Sequence, residues 1–139
     1  KQEIGDIPLM VKLAYIPSDD ALELMVRSTV GHGTVQGFST INTISAKLVD
    51  ANGNQALPGA GRDHSGVCGN AIRGAGLDMV ARLAAIREKL GLDFKINGVG
   101  GVVSPADYQA YRNAGADSVM SATGAMWDAE LAHKIKASR

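Results

Sequence analysis

Apolar residues along the chain fall into short blocks that alternate with longer segments of helical periodicity. Four blocks have the length and apolar composition of strands, at residues 7–16, 35–43, 94–99 and 117–122. Helices are predicted after these blocks, at residues 19–29, 70–90, 105–115 and 127–137. Strand and helix thus alternate four times, which predicts parallel strands joined by right-handed helical crossovers.

Local signals mark the ends of several predicted helices. Ser18 is a favourable N-cap, and Ser104-Pro105-Ala106-Asp107 combines a capping serine, a proline at the first helical position and an acidic residue at the third. Gly91 is the expected C-terminal stop of the longest helix. Residues 44–69 read as a long loop, and loops of this length in a compact domain are usually functional or disordered.

The predicted strands are apolar over most of their length, as expected of parallel strands covered on both faces. We interpret the whole chain, residues 1–139, as a single α/β domain. Two architectures fit this pattern. One is an open doubly wound sheet; the other is half of a (β/α)8 barrel, because a complete barrel takes about 250 residues.

Composition and charge exclude several classes of function. The 14 basic and 14 acidic residues balance, so the sequence lacks the basic stripe that nucleic-acid binding requires. No apolar run approaches the roughly 20 residues that span a bilayer. The single cysteine, Cys68, cannot form an intramolecular disulfide, which suits a reducing compartment. We therefore expect a soluble, cytoplasmic protein.

Glycines cluster where the third and fourth strands are expected to end. The first cluster is at residues 98–101 and the second, Ala122-Thr123-Gly124, follows the next strand. Glycines allow backbone N–H groups to approach an anion closely, and parallel α/β folds bind ligands at the carboxyl ends of their strands. The two turns therefore predict a shared phosphate site, with tight chain reversal alone as the alternative.

Polar residues accompany the ends of the first two strands. Lys12 lies in an otherwise apolar strand, where an unpaired charge is costly, so it is expected to face a ligand unless it reaches solvent at the strand end. Asn42 and Thr43 suit hydrogen bonding to a planar amide or imide, or else cap the strand. Cys68 has no activating histidine at a fixed spacing and is expected to be a packed thiol.

Four segments in order resemble a known family. The segments PLMVKLAY, STINTI, SGVCGNAI and INGVGGVVSPADYQAYRNAGADSVMSATG are similar, in sequence and spacing, to the C-terminal half of the dihydroorotate dehydrogenase family. The flavin domain of dihydropyrimidine dehydrogenase belongs to the same group. The resemblance covers nearly the whole chain and implies a (β/α)8 TIM barrel that holds FMN, with this chain supplying strands five to eight.

The resemblance also implies roles for individual residues. Asn42 and Thr43 match the residues that hydrogen-bond the pyrimidine substrate, and Thr43 also reaches the flavin edge. The positions that match flavin-binding residues of the family are Lys12, Thr43, Gly66, Gly69, Gly100, Gly101, Ala122 and Thr123. The implied reaction is hydride transfer between a dihydropyrimidine such as dihydroorotate and flavin.

The sequence departs from the family pattern at three points. Cys68 stands where relatives often have serine or glycine, and Ala122 stands where glycine is common, although its backbone N–H is retained. The half of the barrel that carries the catalytic base is not in this sequence, and Cys68 does not match that base. No catalytic residue is therefore assigned, and a homo-oligomer or the other half-barrel is the expected partner.

Three alternatives to the oxidoreductase remain open at this stage. One is a non-catalytic half-barrel that binds FMN or another phosphorylated ligand and assembles with a partner or a second copy. Another is a (β/α)8 isomerase or synthase, because paired glycine turns recur in such phosphate-binding families. The last is a fragment without activity of its own. No spacing of ligand residues indicates a metal.

Overall fold

The fold is described by a computed structural model that covers residues 2–138. Its strands are β1 (Met10–Leu13), β2 (Gly37–Thr40), β3 (Ile44–Lys47), β4 (His64–Val67), β5 (Lys95–Val99) and β6 (Ser118–Met120). Its α-helices are α1 (Asp19–Thr29), α2 (Arg73–Leu90), α3 (Pro105–Asn113), α4 (Thr123–Trp127) and α5 (Leu131–Ala137). One turn of 3₁₀-helix, Gly69–Ile72, leads into α2. None of the helices in this range is long and apolar enough to cross a membrane.

Four of the strands form one parallel sheet. Their spatial order is β1-β2-β5-β6, and all three pairings are parallel, as the alternation of strands and helices predicts. The carboxyl ends of these strands therefore lie along a single edge, where the loops that follow them meet. The predicted glycine turns and polar strand ends are consequently brought to the same side of the domain.

The helix ends agree with the signals in the sequence. The Ser18 side chain accepts a hydrogen bond from the amide of Ala21, and Ser104 accepts one from the amide of Asp107. Gly91 ends α2 in the left-handed conformation, with φ of 61°. Such caps satisfy backbone groups that a helix leaves without an intrahelical partner. They hold the helix ends against the sheet at defined positions.

The core lies between one face of the sheet and helices α1 to α3. Phe38 and Ile96 are adjacent in register on β2 and β5, and Phe38 meets Phe94 edge to face at 5.4 Å between ring centres. Helix residues bury their apolar side chains against this layer, chiefly Leu22, Val26, Met79, Val80, Leu83 and Tyr111. Burial of each such side chain contributes roughly 1.5–3 kcal/mol, so this face carries most of the stability.

The opposite face of the sheet is open, which corrects the expectation that the strands are covered on both sides. Lys12, Ser39, Asn97 and Ser118 are neighbours in register and form a polar row across it. The Asn97 amide donates to the Ser39 hydroxyl at 3.2 Å, and the Ser118 hydroxyl donates to Asn97 Oδ1 at 3.1 Å. The apolar residues seen in the sequence therefore belong mainly to the helix-facing side.

Other predicted elements also differ from the structure. Residues 44–69 are not a plain loop, because β3 and β4 pair there as an antiparallel hairpin. The helix predicted at residues 127–137 begins only at Leu131, as α5, after a turn in which the Asp128 carboxylate accepts the Glu130 amide, and the short helix α4 before that turn was not predicted. The first two strands are shorter than predicted, since their regular pairing is confined to residues 10–13 and 37–40, and Pro8 in the flank of β1 has no N–H to offer a partner strand.

A tyrosine packed into a notch of two glycines joins α2, α3 and β5. Tyr111 is fully buried, and a Cβ atom at Gly76 or at Gly98 would overlap its side chain. The close approach of α2 to β5 therefore depends on the absence of side chains at these two positions. Gly74 lies only two residues earlier in α2, but a Cβ atom there would meet nothing within 4 Å.

These surroundings predict opposite effects of alanine at the two helix positions. Gly76→Ala is expected to lower the free energy of unfolding by roughly 1–3 kcal/mol, because the methyl group overlaps Tyr111 in a packed core. Gly74→Ala is expected to raise it by about 0.5–1 kcal/mol through helix propensity. Urea unfolding followed by circular dichroism measures both, and equal effects of the two variants would contradict this packing.

Candidate functional site

A pocket lies at the carboxyl edge of the parallel sheet. It is bounded by Lys12 of β1, by the segments that follow β2, β5 and β6, and by the 3₁₀ turn before α2. Its lining residues are Lys12, Asn42, Thr43, Cys68, Gly69, Ile72, residues 99–102 and residues 120–124. The pocket therefore occupies the position at which parallel α/β folds bind their ligands.

Both glycine turns of the sequence contribute to this pocket, and tight packing brings them together. Gly100 and Gly101 have φ of 123° and 67°, which side-chain-bearing residues rarely adopt. A Cβ atom at Gly101 would lie 2.9 Å from the Cα of Asn70 and 3.0 Å from the carbonyl oxygen of Gly69. In the second turn, a Cβ atom at Gly124 would overlap the Val102 carbonyl. Glycine is thus required by backbone contact as well as by chain reversal.

The first turn offers backbone donors to the pocket. Gly101 is buried, yet within residues 2–138 its amide donates no hydrogen bond to the protein, and the amide of Gly100 precedes it in the same turn. Most buried backbone N–H groups are paired with protein or water, so such amides are available to an oxygen atom in the pocket. Successive N–H groups in a turn of this kind form a concave site for anions.

A hydroxyl and a thiol face each other across the same end of the pocket. Thr123 Oγ1 lies 3.8 Å from Cys68 Sγ, and both residues line the pocket. Cys68 is exposed, so the prediction of a packed thiol is wrong. The cysteine follows β4 directly, and the hairpin strand therefore carries it out to the edge of the pocket instead of into the core.

Cationic and amide groups occupy the other end of the pocket. The Lys12 ammonium, on β1, has no hydrogen-bond or ion-pair partner in the part of the chain that the structure describes. Asn42 follows β2 and is exposed, and Thr43 begins the hairpin. A Cβ atom at Gly66 would come within 2.7 Å of Thr43 Oγ1, so β4 supports the Thr43 side chain from behind.

Ile72, Val99 and Met120 also line the pocket and form what we call its apolar floor. Lys12 lies on the edge strand β1, whereas Gly100 and Gly101 follow β5, two strands away in the sheet. Two strand spacings correspond to roughly 10 Å. The pocket thus suits an elongated ligand with an anionic end and a polar planar end.

The segment that follows the 98–101 turn is tied to α2 and α3 by the carboxylate of Asp107. Asp107 is 6% exposed, and it accepts hydrogen bonds from the Ser104 hydroxyl at 2.7 Å and the Val103 amide at 3.1 Å. It also forms an ion pair with Arg73 at the start of α2. Burial alone would raise the pKa of the Asp107 carboxyl, but these three donors together hold that pKa below its usual value.

The structure brings together nearly all residues that the sequence proposes for the site. The pocket is lined by Lys12, Asn42, Thr43, Gly69 and both glycine turns. Gly66 does not line it but lies directly behind the Thr43 side chain. Sequence reasoning missed Cys68, Ile72 and Met120, since apolar and thiol residues carry no distinctive signal at a strand end. Among residues 2–138, no cluster of three or more His, Cys, Asp or Glu side chains is arranged to hold a metal.

Comparison with known proteins matches this arrangement to one family. The family model described as dihydroorotate dehydrogenase matches residues 1–138, which is nearly the whole chain. The chain belongs to the dihydroorotate dehydrogenase family. The resemblance carried by the four sequence segments is therefore confirmed.

Individual relatives support the same assignment. The chain is 38% identical over 129 residues to a dihydroorotate dehydrogenase of Dictyostelium discoideum, and the match covers 93% of this chain and 35% of that protein. It is 32% identical over 123 residues to a dihydroorotate dehydrogenase (quinone) of Leptothrix cholodnii, and the match covers 87% of this chain and 32% of that protein. It is 31% identical over 128 residues to a putative dihydroorotate dehydrogenase A (fumarate) of Solibacter usitatus, and the match covers 91% of this chain and 38% of that protein.

The chain spans about a third of the length of the curated relatives that it matches. Dihydroorotate dehydrogenases are oxidoreductases of the TIM-barrel fold, in which ligands bind at the carboxyl ends of parallel strands. The four parallel strands and the pocket at their carboxyl edge agree with that fold.

The Asp107 hydrogen bonds predict an acid-sensitive component of stability. Because folding lowers this pKa, the contribution is complete above the ordinary value of 3.8 and is lost as pH falls through the folded-state pKa. Asp107→Asn is expected to lower the unfolding free energy by about 2 kcal/mol at pH 6 and by much less at pH 3. Urea unfolding at the two pH values measures this difference.

A matched substitution at an exposed aspartate is the control. The Asp93 side chain is 91% exposed and pairs only with the exposed Lys95, so Asp93→Asn is expected to change stability little at either pH. A loss at pH 6 that persists undiminished at pH 3 would show that the Asp107 carboxylate is not the group responsible.

Proposed function

We propose that this chain supplies the flavin-phosphate and pyrimidine-binding part of an FMN-dependent dihydroorotate dehydrogenase. The observation that carries the proposal is the pocket itself, in which neither the Gly101 amide nor the Lys12 ammonium has a partner within residues 2–138. Membership of the dihydroorotate dehydrogenase family supports the same ligand class.

In this proposal the two glycine turns hold the FMN phosphate. The amides of Gly100 and Gly101 would donate to phosphate oxygens, and Thr123 would add its hydroxyl, with Gly69 and Ala122 completing the wall. The positive φ at Gly100 and Gly101 is what a chain needs to direct successive amides toward one anion. These contacts would give FMN an advantage over a flavin without phosphate.

At the other end, Lys12 and Thr43 would contact the flavin, and Asn42 and Thr43 would hydrogen-bond the pyrimidine. An asparagine amide offers both a donor and an acceptor, which complements the alternating N–H and C=O groups of a dihydropyrimidine. The apolar floor of Ile72, Val99 and Met120 would lie between the phosphate and this polar end. Gly66 would act indirectly, by supporting Thr43.

Bound FMN supplies the hydride acceptor for oxidation of a dihydropyrimidine such as dihydroorotate. The residues of this chain bind and orient the two ligands, and we assign no catalytic residue among them. In this proposal the general base that the reaction needs belongs to the part of the barrel outside this sequence.

The open sheet face indicates how the barrel is completed. We assign the four parallel strands to positions five to eight of the barrel, so that β1 and β6 would each pair with a further strand. Their outer edges, and the polar row with its exposed ends at Lys12 and Ser118, are surfaces that a closed barrel would cover. The partner would be the complementary half-barrel or, for this chain alone, a second copy.

The first test is flavin binding. The chain with added FMN, freed of excess ligand, is expected to absorb near ~370 and ~450 nm. Thr123→Ala is expected to weaken FMN binding about tenfold because it removes a donor to a charged group.

Lys12→Ala is expected to weaken the binding of FMN and the binding of riboflavin about equally. Quenching of flavin fluorescence measures all of these affinities.

The control is Lys136→Ala, an exposed lysine of α5 outside the pocket, which is expected to leave both affinities unchanged. A colourless chain that takes up neither FMN nor riboflavin would overturn the proposal for this chain. A Lys136→Ala effect as large as that of Lys12→Ala would mean that general charge, and not the pocket, binds the ligand.

The second test is the mass in solution. If two copies close one barrel, light scattering is expected to give twice the mass of the 14.4 kDa chain. Replacement of Val119 by proline, in the middle of the edge strand β6, is expected to shift this mass toward the monomer. A wild-type chain that remains monomeric at high concentration would exclude closure by a second copy.

A further inference from the structure

The carbonyl group of Gly100 is held by a buried side chain from a different element. The Tyr111 hydroxyl of α3 donates to Gly100 O at 2.7 Å and lies 3.2 Å from Val99 O. Tyr111 is 0% exposed, and its ring has no freedom to move away because Gly76 and Gly98 pack against it. The hydroxyl therefore reaches the carbonyl from a fixed position.

The contact with Tyr111 also determines the direction of the Gly101 N–H, because the two groups belong to one planar peptide. The C=O and N–H of one planar trans peptide point in opposite directions, and the Gly100–Gly101 peptide is trans. When Gly100 O is held toward Tyr111 in the core, the Gly101 N–H is directed away from the core. Gly101 lines the pocket, and its amide has no acceptor within residues 2–138.

This control is needed because glycine itself does not fix the peptide. Gly100 and Gly101 populate several backbone conformations at similar cost, so a peptide between them can rotate unless something holds it. Anion sites built from backbone amides are effective when the donors are already oriented before the ligand arrives. A buried hydroxyl with one strong acceptor supplies that constraint.

We propose that Tyr111 is a positioning residue for phosphate binding, whose hydroxyl holds the Gly100–Gly101 peptide so that the Gly101 amide faces the pocket. The inference rests on the proposed function, since it concerns the phosphate end of the same pocket. It adds a residue that lies outside the pocket and touches no ligand.

The hydroxyl keeps this role over the whole working pH range. Burial raises the pKa of Tyr111 to about 12, with a smaller lowering by the nearby Arg73 and a smaller raising by Asp107. The group is therefore protonated and able to donate at neutral pH. Its hydrogen bond is also shielded from water, which makes its loss more costly than that of an exposed bond.

The test compares two flavins that differ only in the phosphate. In Tyr111→Phe, the dissociation constant for FMN is expected to rise about fivefold to tenfold, while that for riboflavin changes less than about twofold. The control is Tyr15→Phe, which removes a hydroxyl that donates to Asp78 away from the pocket and is expected to change neither constant.

The outcomes separate this inference from the proposed function. If the wild-type chain binds FMN no more tightly than riboflavin, the proposed phosphate site is wrong. If the wild type prefers FMN and Tyr111→Phe retains the full preference, the phosphate site stands and the positioning role of Tyr111 is overturned. Equal losses of affinity for FMN and riboflavin in Tyr111→Phe would show that Tyr111 has a general structural role, which also overturns the inference.

A measurement on the wild-type chain covers the case in which Tyr111→Phe does not fold. Inorganic phosphate and FMN are titrated while amide resonances are followed by two-dimensional NMR. The Gly101 amide is expected to shift with both ligands, whereas riboflavin leaves it nearly unchanged. A Gly101 amide that responds to neither phosphate nor FMN would overturn the inference without any variant.

Discussion

The close approach of backbone to backbone at the 98–101 turn is the constraint on which the pocket depends. Gly101 lies against Gly69 and Asn70, and Gly98 and Gly76 leave the space that Tyr111 fills. A side chain at Gly76, Gly98 or Gly101 would push β5 and the start of α2 apart. The same contacts that exclude water from the core therefore bring the start of α2 and two strand ends to one point, and they leave the turn amides facing outward.

The two faces of the sheet differ in their residues, with the apolar core on one face and a row of polar side chains on the other. Aromatic and aliphatic residues pack between the sheet and α1 to α3, and this side forms the core. The opposite face carries the polar row from Lys12 to Ser118, which an isolated sheet would not select for stability. The closed barrel that we propose would account for the difference, because its interior near the ligand would need polar groups, whereas its outside would bind helices. Membership of the dihydroorotate dehydrogenase family agrees with this division.

Much of this architecture could be predicted from the sequence, for reasons that differ between elements. The helix ends at Ser18, Ser104 and Gly91 were predictable because capping is a local interaction. The β3–β4 hairpin was not, because its strands have four residues each and are separated by 16 others, so their pairing depends on tertiary contacts. The exposure of Cys68 was missed for the same reason. The Tyr111 contact joins residues on different elements, and no spacing in the chain indicates it.

We propose that the glycine turns bind the phosphate of a flavin whose ring lies toward Lys12. Phosphorus NMR of FMN, recorded during titration with the chain while flavin fluorescence is followed on the same sample, tests this binding mode. The phosphorus resonance is expected to shift and broaden in proportion to the quenching of ring fluorescence. Quenched fluorescence with a phosphorus resonance at its free position would show that the flavin binds without its phosphate in the pocket, and the proposed binding mode would be wrong.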